Sequence, residues 1–322
     1  MAEAQLQSDN IERLVLAPME GVVDHIMRDL LTQSGGFDLC VTEFLRITES
    51  LQPVRSFYKL CPELKTNAKT PNGTPLRIQL LGNHPGFLAE NAVRAIELGS
   101  HGIDVNFGCP TKTVNKSKGG AVLLQEPETL YQVMSAIRQA VPDNHIVSAK
   151  IRLGFDDTQL FHENVDAIQS AGVNELAIHA RTKKQGYKPP AFWHEISSLN
   201  QFCTMPVTAN GEIWTKQDAI LCMQAANTNR LMLGRGALAV PNLAAVVRGR
   251  ANKMPWQQVV GLLKQYADFK VEGDVGLYYP NRVKQWLTYL KIAYPQAQKL
   301  FLNIKTLKKK AEILPFLDSA ND

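Results

Sequence analysis

The chain has 322 residues, 45% of them apolar and 20% charged, which suits a soluble protein with one large domain and a smaller one. It has no run of about 18 apolar residues that could cross a membrane, and its five scattered cysteines form no CxxC pair. A disulfide framework and a metal site are therefore not expected, and a reducing cytoplasm is. The net charge of +5 is uneven: residues 245–322 hold 13 Lys and Arg against 6 Asp and Glu, and the rest hold 22 against 24. That basic C-terminal end suits a polyanionic partner, although a run such as Lys308-Lys309-Lys310 also suits a solvated face.

Residues 1–12 are polar, carry no signal-peptide core and read as a disordered lead-in. Eight short apolar runs then read as strands: Leu14–Met19, Leu39–Glu43, Arg77–Leu81, Gly102–Asn106, Ile146–Ile151, Glu175–His179, Pro206–Asn210 and Arg230–Gly234. Amphipathic stretches such as Pro85–Leu98, Pro127–Ala140, Phe161–Ala171 and Thr215–Ala225 separate them. Eight strand–helix units predict an α/β fold, a (β/α)8 TIM barrel over residues 13–250. An open doubly wound sheet shares the alternation, but no GxGxxG follows the first strand. After Leu238 the pattern turns helical, with Trp256–Phe269, Pro280–Ala293 and Gln296–Lys308 and a break near Pro315, so residues 251–322 read as a helical domain.

Active-site groups of such barrels sit where strands end. Here those ends carry Pro18, Met19 and Glu20, then Gln79, Asn106, Lys150, His179, the Asn210-Gly211-Glu212 turn and the Gly234-Arg235 turn. The last two turns can hold a phosphate through backbone N–H groups, with Arg235 adding charge, or can be plain strand-to-helix turns. Lys150 can snorkel to solvent or place a cation beside a cofactor ring. Cys109, between Gly108 and Pro110, can donate a proton to a developing carbanion. Cys40, Cys203 and Cys222 lie in apolar elements and read, with Cys61, as inert core thiols. The basic segment Thr111–Gly120, with Lys112, Lys116 and Lys118, reads as a flexible loop able to fold over a phosphodiester or to remain solvated.

Ala17-Pro-Met, Gln79-Leu-Leu-Gly, Asn106–Pro110, Lys150 with Arg152, His179-Ala-Arg-Thr, Ala209-Asn-Gly-Glu-Ile and Met232-Leu-Gly-Arg-Gly-Ala together resemble the tRNA dihydrouridine synthases. Leu16-Ala-Pro-Met-Glu-Gly, Thr42-Glu-Phe-Leu-Arg, Lys112-Thr-Val-Asn, Arg181-Thr-Lys-Lys-Gln-Gly-Tyr, Gly211-Glu-Ile-Trp and Arg282-Val-Lys-Gln-Trp-Leu are most similar to the bacterial C-type branch. The resemblance implies an FMN barrel with a helical tRNA-binding domain, a monomer that uses NADPH to reduce a D-loop uridine at position 16. FMN would be held by Pro18, Met19, Glu20, Gln79, Lys150, His179, Asn210, Gly211, Glu212, Gly234 and Arg235, with Cys109 as general acid. Arg46, Asn106, Tyr187, Arg282, Lys284 and Lys305 would contact and orient tRNA. The chain departs from the branch at Phe107, where a second cysteine is common, and at Lys116 and Lys118, which replace smaller residues. Two other readings share parts of this pattern: a barrel oxidoreductase of a small pyrimidine or enone, and a non-catalytic RNA-binding barrel.

Overall fold

The computed structural model describes residues 10–321. Eight parallel strands close a barrel in sequence order: β1 (Arg13–Leu16), β2 (Leu39–Arg46), β3 (Leu76–Leu81), β4 (Ile103–Asn106), β5 (Val147–Arg152), β6 (Glu175–His179), β7 (Val207–Asn210) and β8 (Arg230–Leu233). Closure rests on β8 pairing with β1, Arg13 opposite Arg230 through Leu16 opposite Leu233. An open doubly wound sheet is thereby excluded.

Side chains alternate between the two faces of each strand. Leu14, Leu16, Ile78, Leu80, Ile103, Val105, Val147, Ala149, Ile151, Leu231 and Leu233 join the core shared with the outer helices. The intervening residues fill the barrel, and they divide it into two halves. Val15, Ala17, Leu39, Val41, Ala177 and Met232 form an apolar inner cluster. Opposite them, β3 to β5 turn Arg77, Gln79, Asp104, Asn106, Ser148 and Lys150 inward, where most TIM barrels carry branched apolar residues. Buried polar groups need hydrogen-bond partners; Arg77, Ser148, Asp104, Gln79 and Asn106 bond in series, and Lys150 donates to Asn210.

The N-terminal end of the barrel is closed by charge. Glu175 takes Arg77 at 2.9 Å, Arg230 at 2.8 Å and Arg13 at 3.3 Å. Arg248 donates to Gly36 O at 2.7 Å and Ile11 O at 3.0 Å, which fastens the entry of the chain under this end. The expected lead-in lies outside the described residues up to position 9. Residues 10–12 are ordered, because Ile11 is buried and Glu12 N donates to Asn229 O.

The outer helices start where the sequence supplies caps. His84 accepts from Phe87 N ahead of Pro85–Glu97, and Thr215 forms a capping box with Asp218 ahead of Lys216–Ala226. The segment after Cys109 differs from the flexible loop expected there. Lys112–Lys116 is a helical turn, and a 3-10 turn follows at Gly120–Gln125. Asn115 Nδ2 fastens it by donating to the carbonyls of Cys109 and Thr111 at 2.9 and 2.8 Å.

Beyond the barrel run four helices, Trp256–Asp268, Tyr278–Leu290, Pro295–Ile304 and Lys310–Asp318. Val259, Leu263, Val283, Leu287, Leu300, Ile304, Ile313 and Leu317 pack between them. The expected break near Pro315 is absent: Lys310–Asp318 continues through it. Proline removes one backbone donor, and the fully buried Ile313 and Leu317 on either side hold the helix against the others. Trp286 keys this region to the barrel, its Nε1 donating to Leu238 O at 3.0 Å.

Candidate active site

A cavity of about 410 Å³ opens at the C-terminal end of the strands. Its wall includes every residue expected to hold a cofactor, Pro18, Met19, Glu20, Gln79, Lys150, His179, Asn210, Gly211, Glu212, Gly234 and Arg235, together with Asn106, Cys109 and Tyr187. Fourteen positions spread from 18 to 235 meet because each ends a strand or lies in the loop that follows it in one closed barrel.

Its charge is strongly one-sided. Lys150, Arg152, Arg181 and Arg235 surround His179, and burial together with these cations holds the imidazole well below its usual range, so it is neutral. Lys150 donates to Asn210 Oδ1 at 3.2 Å; burial and then Arg152 push its ammonium down to about 8. Glu212 is the acid that answers them, at 3.1 Å from Arg181 and 2.6 Å from Arg235. It sits at a positive φ of 54°, a strained backbone region for a side-chain-bearing residue, and the two arginines hold it there. Glu20 lies near Glu43 of the neighbouring strand β2; burial and then that neighbour push its carboxyl up to about 7.

The turns after β7 and β8 interlock. A Cβ on Gly236 would lie 2.0 Å from Ile213 O, so only glycine permits this approach. Gly211, at φ 120°, brings its backbone against the His179 ring, where a Cβ would stand 3.0 Å away. Arg235 thus emerges beside Glu212 and stacks between the rings of Tyr187 and Trp214, at 5.1 and 5.2 Å. Arg152 takes the other approach to Tyr187, also at 5.1 Å, while its Nε donates to Gly108 O at 2.8 Å. Tyr187 is half exposed at the mouth of the cavity.

Cys109 lies at the edge of this cavity and is 8% exposed, with Sγ 3.2 Å from Thr111 Oγ1. The other cysteines are elsewhere: burial pushes Cys40 up to about 12 and raises Cys61 and Cys222 further, which suits inert thiols. Asn106 Oδ1 accepts from both Gly108 N and Cys109 N at 2.9 Å, and its Nδ2 donates to Gln79 Oε1 at 2.8 Å. Phe107 points away into the core and is fully buried, so its departure from the branch pattern leaves the Cys109 wall unchanged.

The remaining expected tRNA contacts lie apart. Arg46 lines a second cavity of about 380 Å³ with His84 and Gly119. Arg282 donates to Gly21 O, Asp24 and Gln285, and Lys284 donates to Leu307 O at 3.0 Å. Lys305 is exposed at the end of Pro295–Ile304. Several wall residues escaped the sequence reading: Phe44, Thr111, Trp214, Met232 and Tyr289. Thr111 was legible from its place two residues past Cys109. Tyr289 was not, because it reaches the cavity from the helix Tyr278–Leu290 and lies 56 residues beyond the last strand.

The donor set fits a flavin mononucleotide. A surplus of cations over the Glu212 carboxylate calls for an anion, and the Met19, Phe44 and Met232 side chains offer an apolar wall to a flat ring.

A family model described as "Dihydrouridine synthase (Dus)" matches residues 15–321. The tRNA-dihydrouridine(16) synthase of Vibrio cholerae is 53% identical over 96% of this chain and 96% of its own length. That of Escherichia coli K12 is 49% identical, over 94% and 96%. Among solved structures, an old yellow enzyme homologue from Zymomonas mobilis superposes with a TM-score of 0.53 at 13% identity, covering 75% of this chain and 90% of that one. Histamine dehydrogenase from Rhizobium gives a TM-score of 0.57 at 14% identity, over 74% and 46%. At such identities these two establish the shared barrel fold.

Proposed function

The chain belongs to the dihydrouridine synthase family, and from that premise we propose that it reduces a D-loop uridine of tRNA to 5,6-dihydrouridine, at position 16, with electrons from NADPH. Cys109 carries the reading: its thiol lines a cation-rich cavity at the C-terminal end of the barrel, the place where this fold performs chemistry. The names and near-complete overlap of the relatives from Vibrio cholerae and Escherichia coli support tRNA as substrate and position 16 as target.

Flavin, when bound, would supply the hydride for uracil C6, with NADPH as its source of electrons. The chain's own residues do the rest. A flipped-out uridine enters past Tyr187, and Asn106 and Arg152 border the space it would occupy. Cys109 Sγ releases its proton to C5 as C6 gains the hydride, so the double bond is saturated and a thiolate remains. That thiolate recovers a proton at the exposed Thr111 side of the site. Lys150 would keep an ammonium beside the flavin ring as it gains negative charge, and Arg235 with the glycine turns would hold the phosphate. Neutral His179 adds a hydrogen-bonding group without adding charge.

The deciding experiment incubates the purified protein with NADPH and unmodified tRNA and maps dihydrouridine by position. Dihydrouridine at position 16 is expected. Reduction at another position overturns the target, and no reduction by flavin-loaded protein overturns the activity.

A further inference from the structure

Beneath Cys109 runs a chain of buried side-chain amides whose sense is fixed at both ends. At the upper end the donors are backbone: Gly108 N and Cys109 N both point at Asn106 Oδ1, at 2.9 Å. Asn106 Nδ2 is thereby turned toward Gln79 Oε1, at 2.8 Å, and Gln79 Nε2 toward Asp104 Oδ2, at 2.7 Å. At the lower end stands Asp104, 3% exposed, whose other oxygen accepts from Ser148 Oγ at 2.6 Å. Ser148 in turn meets Arg77 at 3.0 Å, which joins the chain to the charged closure under the barrel. Gln79 is fully buried and Asn106 is 9% exposed, so water offers the amides no easy substitute.

An amide has one accepting end and one donating end, and turning it over reverses every neighbour. A carboxylate in this position only accepts. We propose that Asp104 is a positioning residue for Cys109: it fixes which way the Gln79 and Asn106 amides face and so secures the acceptor for the Gly108 and Cys109 N–H groups. The inference rests on the reading of Cys109 as general acid for its functional meaning, but the chain itself does not depend on it. Burial raises the Asp104 carboxyl. Protonation on the Ser148 side would leave Oδ2 accepting from Gln79, so the sense of the chain survives it.

The geometry separates two substitutions. Asparagine at 104 can keep its oxygen toward Gln79 and donate to Ser148, whose hydroxyl then turns to Ile103 O, already 3.1 Å away. Alanine leaves Gln79 Nε2 with no acceptor. In the flavin-loaded, full-length protein, hydrogen exchange of the peptide spanning 107–110 is read beside single-turnover reduction of tRNA. Asp104→Ala is expected to speed exchange at Gly108 and Cys109 by about tenfold or more, the scale of one lost hydrogen bond, and to slow turnover by a similar factor. Asp104→Asn is expected to stay within about threefold of wild type on both. A general loosening would raise exchange throughout the barrel, so the local signature and its rescue by asparagine separate positioning from bulk stability. If Asp104→Ala does not fold, Gln79→Met interrupts the same chain one link higher and must give the same local exchange. Wild-type exchange at Gly108 and Cys109 in the folded interrupted variant overturns the proposal, as does an asparagine variant as impaired as alanine. If instead Cys109→Ala retains full turnover while the exchange effect stands, the acid reading fails and the positioning chain does not.

Discussion

Arg282 offers a sharp test because two roles for it make opposite demands. Its guanidinium is committed to the chain: it pairs with Asp24, donates to Gly21 O, meets Gln285 Oε1 at 2.9 Å and lies 5.5 Å from the Tyr278 ring. These contacts bind the helix Tyr278–Leu290 to the loop after β1, which forms one wall of the cavity. The pair is mostly buried, with side-chain exposures of 18% and 13%. Arg282→Met does not leave Asp24 bare, because Tyr278 OH and Met27 N still donate to it. The loss then corresponds to charged hydrogen bonds, about 1.5–3 kcal/mol, rather than to a wholly orphaned buried ion. With an unfolding entropy of about 2.1 cal/mol/K per residue, that lowers Tm by about 2–4 °C. Thermal unfolding and tRNA titrations over a range of salt, run beside Lys305→Met, separate the roles. Arg282→Met is expected to lower Tm and leave the salt slope nearly intact, whereas Lys305→Met lowers the slope by about 0.7–0.9 at unchanged Tm. An Arg282 variant with wild-type Tm and a reduced slope would refute the bracing argument.

Other outcomes follow from the site and core. Cys109→Ala is expected to retain flavin and tRNA affinity and to lose about 10²–10⁴-fold in single-turnover rate, measured by flavin reoxidation with tRNA. Lys150 has its proton pushed down to about 8 from 10.5, so FMN affinity, followed by fluorescence quenching, is expected to fall as pH rises above about 8, and Lys150→Met to abolish that step. By the same shift the folded apoprotein binds fewer protons than the unfolded chain between those values, so its stability rises with pH across that window. Arg28 is wholly buried on Glu63, at 3.0 and 2.9 Å, and Arg28→Met is expected to cost about 3–5 kcal/mol in urea denaturation near neutral pH. Glu63 has its pKa held below the usual carboxylate value, so the wild-type advantage is present above that value and narrows as acid protonates it.

The barrel was legible because its signals are local. Ile103-Asp104-Val105-Asn106 alternates core and interior on β4, and on β5 Val147, Ala149 and Ile151 in the core alternate with Ser148, Lys150 and Arg152. Strand ends that carried polar residues marked the cavity wall for the same reason. What escaped depends on contacts between distant segments. Past a register shift between Val41 and Phe44, β2 resumes its pairing with β3 and runs on to Arg46, and Arg46 borders a separate cavity. The commitment of Arg282 to Asp24 spans 258 positions, and no spacing announces it. The helix through Pro315 defeats local propensity because Ile313 and Leu317 are buried against other helices.

The charged closure around Glu175 has a bearing on traffic. Three arginines and their acid seal the far end of the barrel, so the cavity has its mouth on the strand-end side, beside Tyr187. A nicotinamide donor and a nucleotide base would have to pass through that doorway in turn. Occupancy by one guest would then delay the other, and under the proposed function the cycle becomes a matter of queueing: excess tRNA is expected to slow recharging of the flavin, and excess donor to delay the next uridine.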